Sequence, residues 1–290
     1  VTHLPLAERS FLYGSKSLHT TGVFFAIADE KNSRVVVADT GLTHAVAIGT
    51  RGRAPGEFYR PIHACMHQNT LFALDYGNRR VQVFQLLANE LQFVSSFSIG
   101  VGAHSNFAVD QQGFVYVPDA EGTNLISIYN QEGRILDQFG NRTPFPEKQS
   151  DVTRNLNFQI HIDSTENVYV VYGDRLSIAK YDTKRQLAWK FDLQSIPAIQ
   201  KLVANTQREQ HRNGMVMVRS IIGSSSLRDG TLYVMVPKVG MFGFDTNTGT
   251  VTKKISYDFG DYHMHAFSFN GNTLYFVDSV YNILGVATAV

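Results

Sequence analysis

Ten histidines are spread through the 290 residues, and seven of them fall at or just before apolar stretches: His19, His63, His104, His161, His211, His263 and His265. The same connections carry Arg51, Arg53, Arg60, Arg154, Arg212, Asn106, Asn157, Gln159, Asp261 and Tyr262. Neutral imidazoles converging from several segments could hold a divalent cation with a position left open for water, which is the chemistry of a metal-assisted enzyme. Imidazoles titrating near pH 6–7 could instead hold an anion in a pH-dependent way. Other chemistries find less support. Ser224-Ser-Ser226 follows Gly223 but no Gly-x-Ser-x-Gly elbow is present. The glycines of Gly49–Gly56 precede an apolar strand-like run, whereas a phosphate cradle precedes a helix. Asp75, Asn78 and Arg80 are spaced Asp-x-x-Asn-x-Arg, and the Asp reads as a hairpin-fixing acceptor rather than a catalytic carboxylate. Asp39 and Asp278, each after an apolar run, are expected to play the same part.

The elements that must position these residues are visible as a repeat. Asp110–Val117, Asp163–Val170, Met66–Ala73, Leu227–Val234, Phe269–Phe276 and, more weakly, Glu30–Val37 each show a polar turn followed by a β-branched or aromatic run. Each is read as part of a β-hairpin. Over 290 residues, six copies allow about 48 residues each, the size of a four-stranded propeller blade. The expectation is an all-β, six-bladed β-propeller forming a single domain over residues 1–290. The sixth blade runs out of chain after its third strand, Ile283–Val290, so the apolar segment Thr2–Ala7 is assigned as its missing outer strand. Blade one looks short, and its strand count stays open. Residues 141–157 read as a polar surface loop. Residues 195–210 read as a helix capped by Ser195, with Pro197 in its first turn and an apolar stripe of Ile196, Ile199, Leu202 and Val203. That stripe favours packing at the boundary of blades four and five over a lid above the pore.

Composition narrows the function classes. With 26 basic and 25 acidic residues, the chain shows no general attraction for polyanions. Arg51, Arg53, Arg60, Arg79 and Arg80 form a local basic cluster, yet overall neutrality argues against nucleic acid as the partner. No apolar run reaches the ~18–20 residues of a membrane-spanning helix. The single Cys65 excludes an intrachain disulfide and is expected to be buried and inert. A chain that starts at Val1 is compatible with a removed signal peptide. The only tryptophan, Trp189, falls on an outer strand, which argues against a tryptophan platform for glycans.

Residues Arg51-Gly-Arg-Ala-Pro-Gly-Glu-Phe58, then Pro61 and Ala73-Leu-Asp-Tyr-Gly-Asn-Arg-Arg-Val-Gln-Val-Phe84, resemble the NHL-repeat propellers, in particular the bacterial six-bladed NHL/TolB-like branch. Ala54 stands where that branch usually has Gly. The resemblance implies a six-bladed propeller that is frequently exported and often serves as a binding platform; it implies no particular activity. In the related peptide-amidating lyase, one histidine per blade stands five residues before the hairpin turn. Counted in the same way, His63 stands at three, His104 at six, His161 at two, and His265 and His263 at four and six. Odd and even offsets should face opposite ways, which argues against a shared metal site. The expectation is therefore a non-catalytic module in the periplasm or outside the cell, binding a protein or small molecule at the pore mouth without a cofactor. The expected ligand-binding residues are Arg60, His63, His104, Asn106, His161, Arg212, Tyr262, His263 and His265. The alternative is a hydrolase or lyase using a His-rich pore that holds a divalent metal.

Overall fold

The computed structural model describes residues 2–4, 12–41, 43–88, 90–100, 106–119, 124–141, 158–173, 175–213, 221–256, 264–278 and 282–288. Their strands form six four-stranded antiparallel sheets, the blades of a β-propeller. Blade one comprises Ser15–Thr20, Phe24–Asp29, Arg34–Asp39 and Ala45–Ile48, so it has its full four strands. Blade two comprises Pro61–His67, Thr70–Asp75, Arg80–Leu87 and Glu90–Ser98. Blade three begins with the two-residue strand Ala108–Val109 and continues with Val115–Pro118, Asn124–Tyr129 and Ile135–Asn141. Blade four comprises Phe158–Ile162, Val168–Tyr172, Ser177–Tyr181 and Leu187–Asp192. Blade five comprises Ser224–Arg228, Thr231–Val236, Gly240–Asp245 and Val251–Ile255. Blade six takes Met264–Asn270, Thr273–Asp278 and Ile283–Thr288 from one end of the chain and Thr2–Leu4 from the other. Thr2, His3 and Leu4 pair antiparallel with Val286, Gly285 and Leu284, which closes the ring. Residues 5–7 of the assigned clasp lie outside the described residues.

Strand composition follows position in the blade. Second strands such as Thr70–Asp75 are apolar almost throughout because blades press on both of their faces. Outer strands face solvent, and Val251–Ile255, with two lysines, is exposed along its length, which discourages pairing with another chain. Each junction between neighbouring blades holds its own apolar cluster. Cys65 lies in the cluster between blades two and three at 3% exposure, where burial raises its thiol pKa and keeps it protonated. Trp189 lies on the outer strand of blade four, and its indole N–H donates to the Thr246 carbonyl of blade five.

The loop from Gly49 to Phe58 is held by side chains of blade two. Phe58 is fully buried between blades one and two, and a Cβ at Gly49, whose φ is +115°, would collide with its ring. Asp75 organises the rest. Its Oδ1 accepts the Tyr59 N–H at 2.8 Å, and its Oδ2 accepts from Asn78 Nδ2 and Arg80 Nε, each at 2.8 Å. Arg80 also donates to the carbonyls of Ala54 and Glu57, and Asn78 to that of Gly52. Asp29, Asn32 and Arg34 repeat this arrangement in blade one, with Asp29 accepting the Tyr13 N–H. In both blades the turn needs a left-handed residue, Ser33 at φ 53° and Arg79 at φ 54°. Asp39 is not the equivalent of Asp75. It ends the third strand and caps the next turn by accepting the N–H groups of Thr43 and His44. Asp278, by contrast, ends a second strand as Asp75 does.

The helix spans Pro197–Asn213 and starts later than expected, because Leu193–Ser195 forms a 3-10 turn in which the Asp192 side chain accepts the Gln194 N–H. Ser195 is not its cap; the Ser195 hydroxyl donates to the Asp192 carbonyl. The stripe packs as expected: Ile199 is buried, and Ile196, Leu202 and Val203 lie against the apolar cluster of blades four and five. No helix among the described residues is long and apolar enough to cross a membrane.

Two outcomes are expected. Removing residues 1–4 lowers the thermal midpoint by several degrees, because it leaves the Ile283–Thr288 edge unpaired; an unchanged midpoint would contradict the clasp. Asp75→Ala destabilises by about 3–5 kcal/mol in urea titration, because it strands Arg80, Asn78 and the Tyr59 N–H beside a buried gap.

Candidate functional site: the axial pore

All six inner strands contribute to a cavity of about 650 Å³ on the propeller axis, a size that admits a small ligand. Where the inner strands begin, charged groups hold one another. Arg60 Nε donates to Glu30 Oε1 at 2.8 Å, Lys16 Nζ stands 3.4 Å from Glu30 Oε2, and the Arg60 guanidinium lies 5.5 Å from the centre of the Tyr76 ring. Arg60 has φ 58° and a half-exposed side chain.

Deeper groups are uncharged. His161 Nε2 lies 2.7 Å from Ser225 Oγ, and Ser225 Oγ donates to Gln159 Oε1 at 2.6 Å. The Gln159 amide nitrogen faces the Gly223 carbonyl, which fixes its orientation. Ser225 therefore spends its proton on Gln159 and accepts one from His161, so His161 carries its proton on Nε2. This direction is the reverse of the one in which a histidine activates a serine nucleophile. His63 meets the Phe107 ring edge-on at 4.8 Å between centroids. His19 also lines the cavity, and its buried Nδ1 has no hydrogen-bond partner.

The nine expected ligand-binding residues separate accordingly. Arg60, His63, Asn106, His161 and His265 line the cavity. Asn106, however, uses both of its polar atoms as a stitch: Oδ1 accepts the Ile160 N–H at 2.6 Å, and Nδ2 faces the Ile160 carbonyl at 3.4 Å. His211 and Arg212 belong to the last turn of the helix rather than to a loop entering blade five. His104, Tyr262 and His263 lie outside the described residues, as do Arg154, Asn157 and Asp261. The pore also uses residues outside the expected set, chiefly His19, Ser17, Ser225 and Gln159. His19 and Gln159 are already placed on these connections by sequence; Ser17 and Ser225 are passed over by a search for histidine and arginine.

Strand parity does not decide which way these histidines face. His63 and His161, at odd and even offsets from the turn, nevertheless both face the next blade, His63 onto Phe107 and His161 onto Ser225. The turns differ in length: His67 pairs with Thr70, whereas Ile162 pairs with Val168. Blades one, two and six also carry a register shift between Ser15 and Ser17, Pro61 and His63, and Met264 and Ala266. Among the described residues, no group of three or more His, Cys, Asp or Glu is placed to hold a metal ion.

Electrostatics overturn the expected charge switch for three of these histidines. Burial lowers the pKa of His19 to about 4, and those of His63 and His161 to about 3; the neighbouring imidazoles lower the last two further. All three are neutral at pH 6–7.

Comparison with known proteins places the fold. No family model and no curated protein matches the sequence. Among solved structures, virginiamycin B lyase from Staphylococcus aureus, as a catalytically inactive histidine-to-alanine variant with quinupristin, aligns over 99% of this chain and 84% of its own at TM-score 0.60 and 10% identity. A “putative exported protein” from Bacteroides fragilis aligns over 97% of this chain and 85% of its own at TM-score 0.63 and 15% identity. The shared architecture is the six-bladed propeller. At these identities the likeness concerns fold alone.

The pKa directions give a stability expectation. An imidazole that titrates at about 3 when folded and near 6.5 when unfolded leaves the unfolded chain holding more protons between those values. Stability therefore falls as pH drops through 6.5 towards 3, by up to ~1.4 kcal/mol per pH unit for each such group. His63→Gln should lose less stability than the wild type between pH 7 and pH 5 in urea titration. Equal losses would contradict the buried, neutral state of His63.

Proposed function

We propose that residues 1–290 form one propeller domain of the NHL/TolB-like kind, acting outside the cytoplasm as a non-catalytic module that binds a protein or small molecule at the mouth of its pore. The observation that carries this reading is the combination of a ~650 Å³ axial cavity with hydrogen-bonding groups held in fixed directions. The Ser225–His161 contact lacks a nucleophile's proton flow, and no described carboxylate orients either partner. Arg60, His63, His161 and His265 supply the described part of the binding set, joined by His19, Ser225 and Gln159. His104, Asn106, Arg212, Tyr262 and His263 complete the set proposed from sequence, Asn106 through its hold on the wall. Export accords with the description of the Bacteroides neighbour and with the NHL-like loop at residues 51–58.

The alternative is a propeller hydrolase or lyase. What favours it is the gathering of His19, His63 and His161 in one pore, given that the staphylococcal lyase variant is described as inactive after a histidine replacement. It would need a metal or a base completed by residues such as His104 and His263.

The test is a ligand screen by thermal shift with four probe classes: divalent cations, sugar phosphates, neutral sugars and capped peptides. Wild-type protein is compared with the variant Arg60→Ala/His63→Ala/His161→Ala. The module reading expects saturable stabilisation by at least one class, lost in the triple variant, with no turnover of the bound probe. If no class distinguishes the two proteins, or if a bound probe is consumed, the reading fails.

A further inference from the structure

Three adjacent blades begin their inner strands with the same irregularity. Register shifts leave Lys16, Ile62 and His265 as extra residues in blades one, two and six. Each follows a residue paired with the Asp that ends the second strand: Ser15 with Asp29, Pro61 with Asp75 and Met264 with Asp278. The inner strands of blades three, four and five pair without such a shift. A bulge of this kind re-aims a side chain out of the ladder's alternation, and all three extra residues line the cavity. The pore mouth is thereby uneven, and its charge lies on the bulged half.

That charge has a sign. Among the described residues, the Lys, Arg, Asp and Glu side chains that line the cavity are Lys16, Glu30 and Arg60, two cations to one carboxylate. Glu30 is nearly buried and is held from both sides, by Arg60 Nε at 2.8 Å and by Lys16 Nζ at 3.4 Å. It orders both cations but can neutralise only one. Arg60 gives Nε to Glu30 and lays its guanidinium 5.5 Å from the centre of the Tyr76 ring. Its two Nη nitrogens have no hydrogen-bond partner among the described residues, and its side chain is half-exposed. A guanidinium held in one orientation matches the geometry of a carboxylate or phosphate. Positive charge at the rim of a low-dielectric cleft also concentrates anions there. Further in, the hydroxyls of Ser17, Ser224, Ser226 and Ser268 line the cavity. A hydroxyl both donates and accepts, so that wall suits a polar body without choosing its charge.

We infer that the bulged half of the pore mouth is an oxyanion subsite, in which Arg60 and Lys16, ordered by Glu30, take the carboxylate or phosphate of a small molecule whose uncharged body enters the pore. This rests on the pore being the binding site, as proposed above.

Isothermal titration at pH 7 and low ionic strength tests the subsite with glucose, gluconate and glucose 6-phosphate, which are similar in body and differ in charge. At least one anion is expected to bind about tenfold or more tighter than glucose and to weaken as salt is raised. The tighter of the two anions tells carboxylate from phosphate. Arg60→Gln is expected to weaken that anion about tenfold, and Lys16→Gln to weaken it less. Arg60→Lys keeps a cation for Glu30 and should retain more affinity than Arg60→Gln. Glu30→Gln still offers an acceptor to Arg60 Nε and removes the one carboxylate, so it should tighten the anion, a gain that no misfolded variant would give. Glucose binding as tightly as both anions would overturn the subsite; the pore then stands as the binding site if that binding is lost in Arg60→Ala/His63→Ala/His161→Ala, and falls if it is not. Anion binding unchanged in both Arg60→Gln and Lys16→Gln would also overturn the subsite, and its survival in the triple variant would overturn the pore as well. Weaker anion binding in Glu30→Gln, or no binding of either anion, would overturn the subsite.

Discussion

A four-stranded blade has two broad apolar faces and can bury neither by itself. Each face must be covered by the next blade, and the last blade must be covered by the first. In this protein the requirement is met by six separate clusters at six junctions, each drawing on the second and third strands of two neighbours. The cavity on the axis follows from the same constraint. Inner strands are pushed together by the packing behind them, yet six of them cannot meet at a point, and the space left over is lined by whatever their alternating residues supply.

Polar groups inside such a ring are held to strict accounting. Asp29 and Asp75 fasten the incoming loops of blades one and two by collecting one backbone N–H apiece, with two side-chain donors on Asp29 and three on Asp75. Much of the basic cluster that looked available for a polyanion is thereby engaged: Arg80 serves Asp75 and two loop carbonyls, and Arg60 serves Glu30. The same economy governs the pore, where Ser225 is held between His161 and Gln159.

The blade repeat was legible in the sequence because second strands buried on both faces must be apolar, and their turns must be short and polar. The closing strand was legible because the apolar segment Thr2–Ala7 had no other place in the repeat while the sixth blade lacked one member. The helix was placed correctly, but its start was not: Pro197 and a serine before it fit a cap, whereas the chain spends Ser195 on a preceding 3-10 turn. At the site, residue types were legible and directions were not. Which way His63 and His161 face depends on loop lengths and on local register shifts, and counting from a turn assumes both to be uniform. Their protonation depends on burial among one another, which appears only once three blades are brought round a common axis. Asp39 shows the same limit, since an Asp after an apolar run ends either a second or a third strand.

The closing pair also bears on how the chain reaches its native state. Thr2 and Val286 are neighbours in one sheet although nearly the whole sequence separates them, whereas the other hairpins join strands that are adjacent in order. Contacts of high sequence separation form late, because the loop entropy must be overcome before they contribute. During synthesis, the blades from one to five can each assemble as their strands emerge, but the ring cannot shut until Ile283–Thr288 is made. Until then the face of blade one that belongs against blade six, carrying Leu18, Phe25 and Ile27, stays uncovered, and it is the surface on which a chaperone or a neighbouring nascent chain would act first.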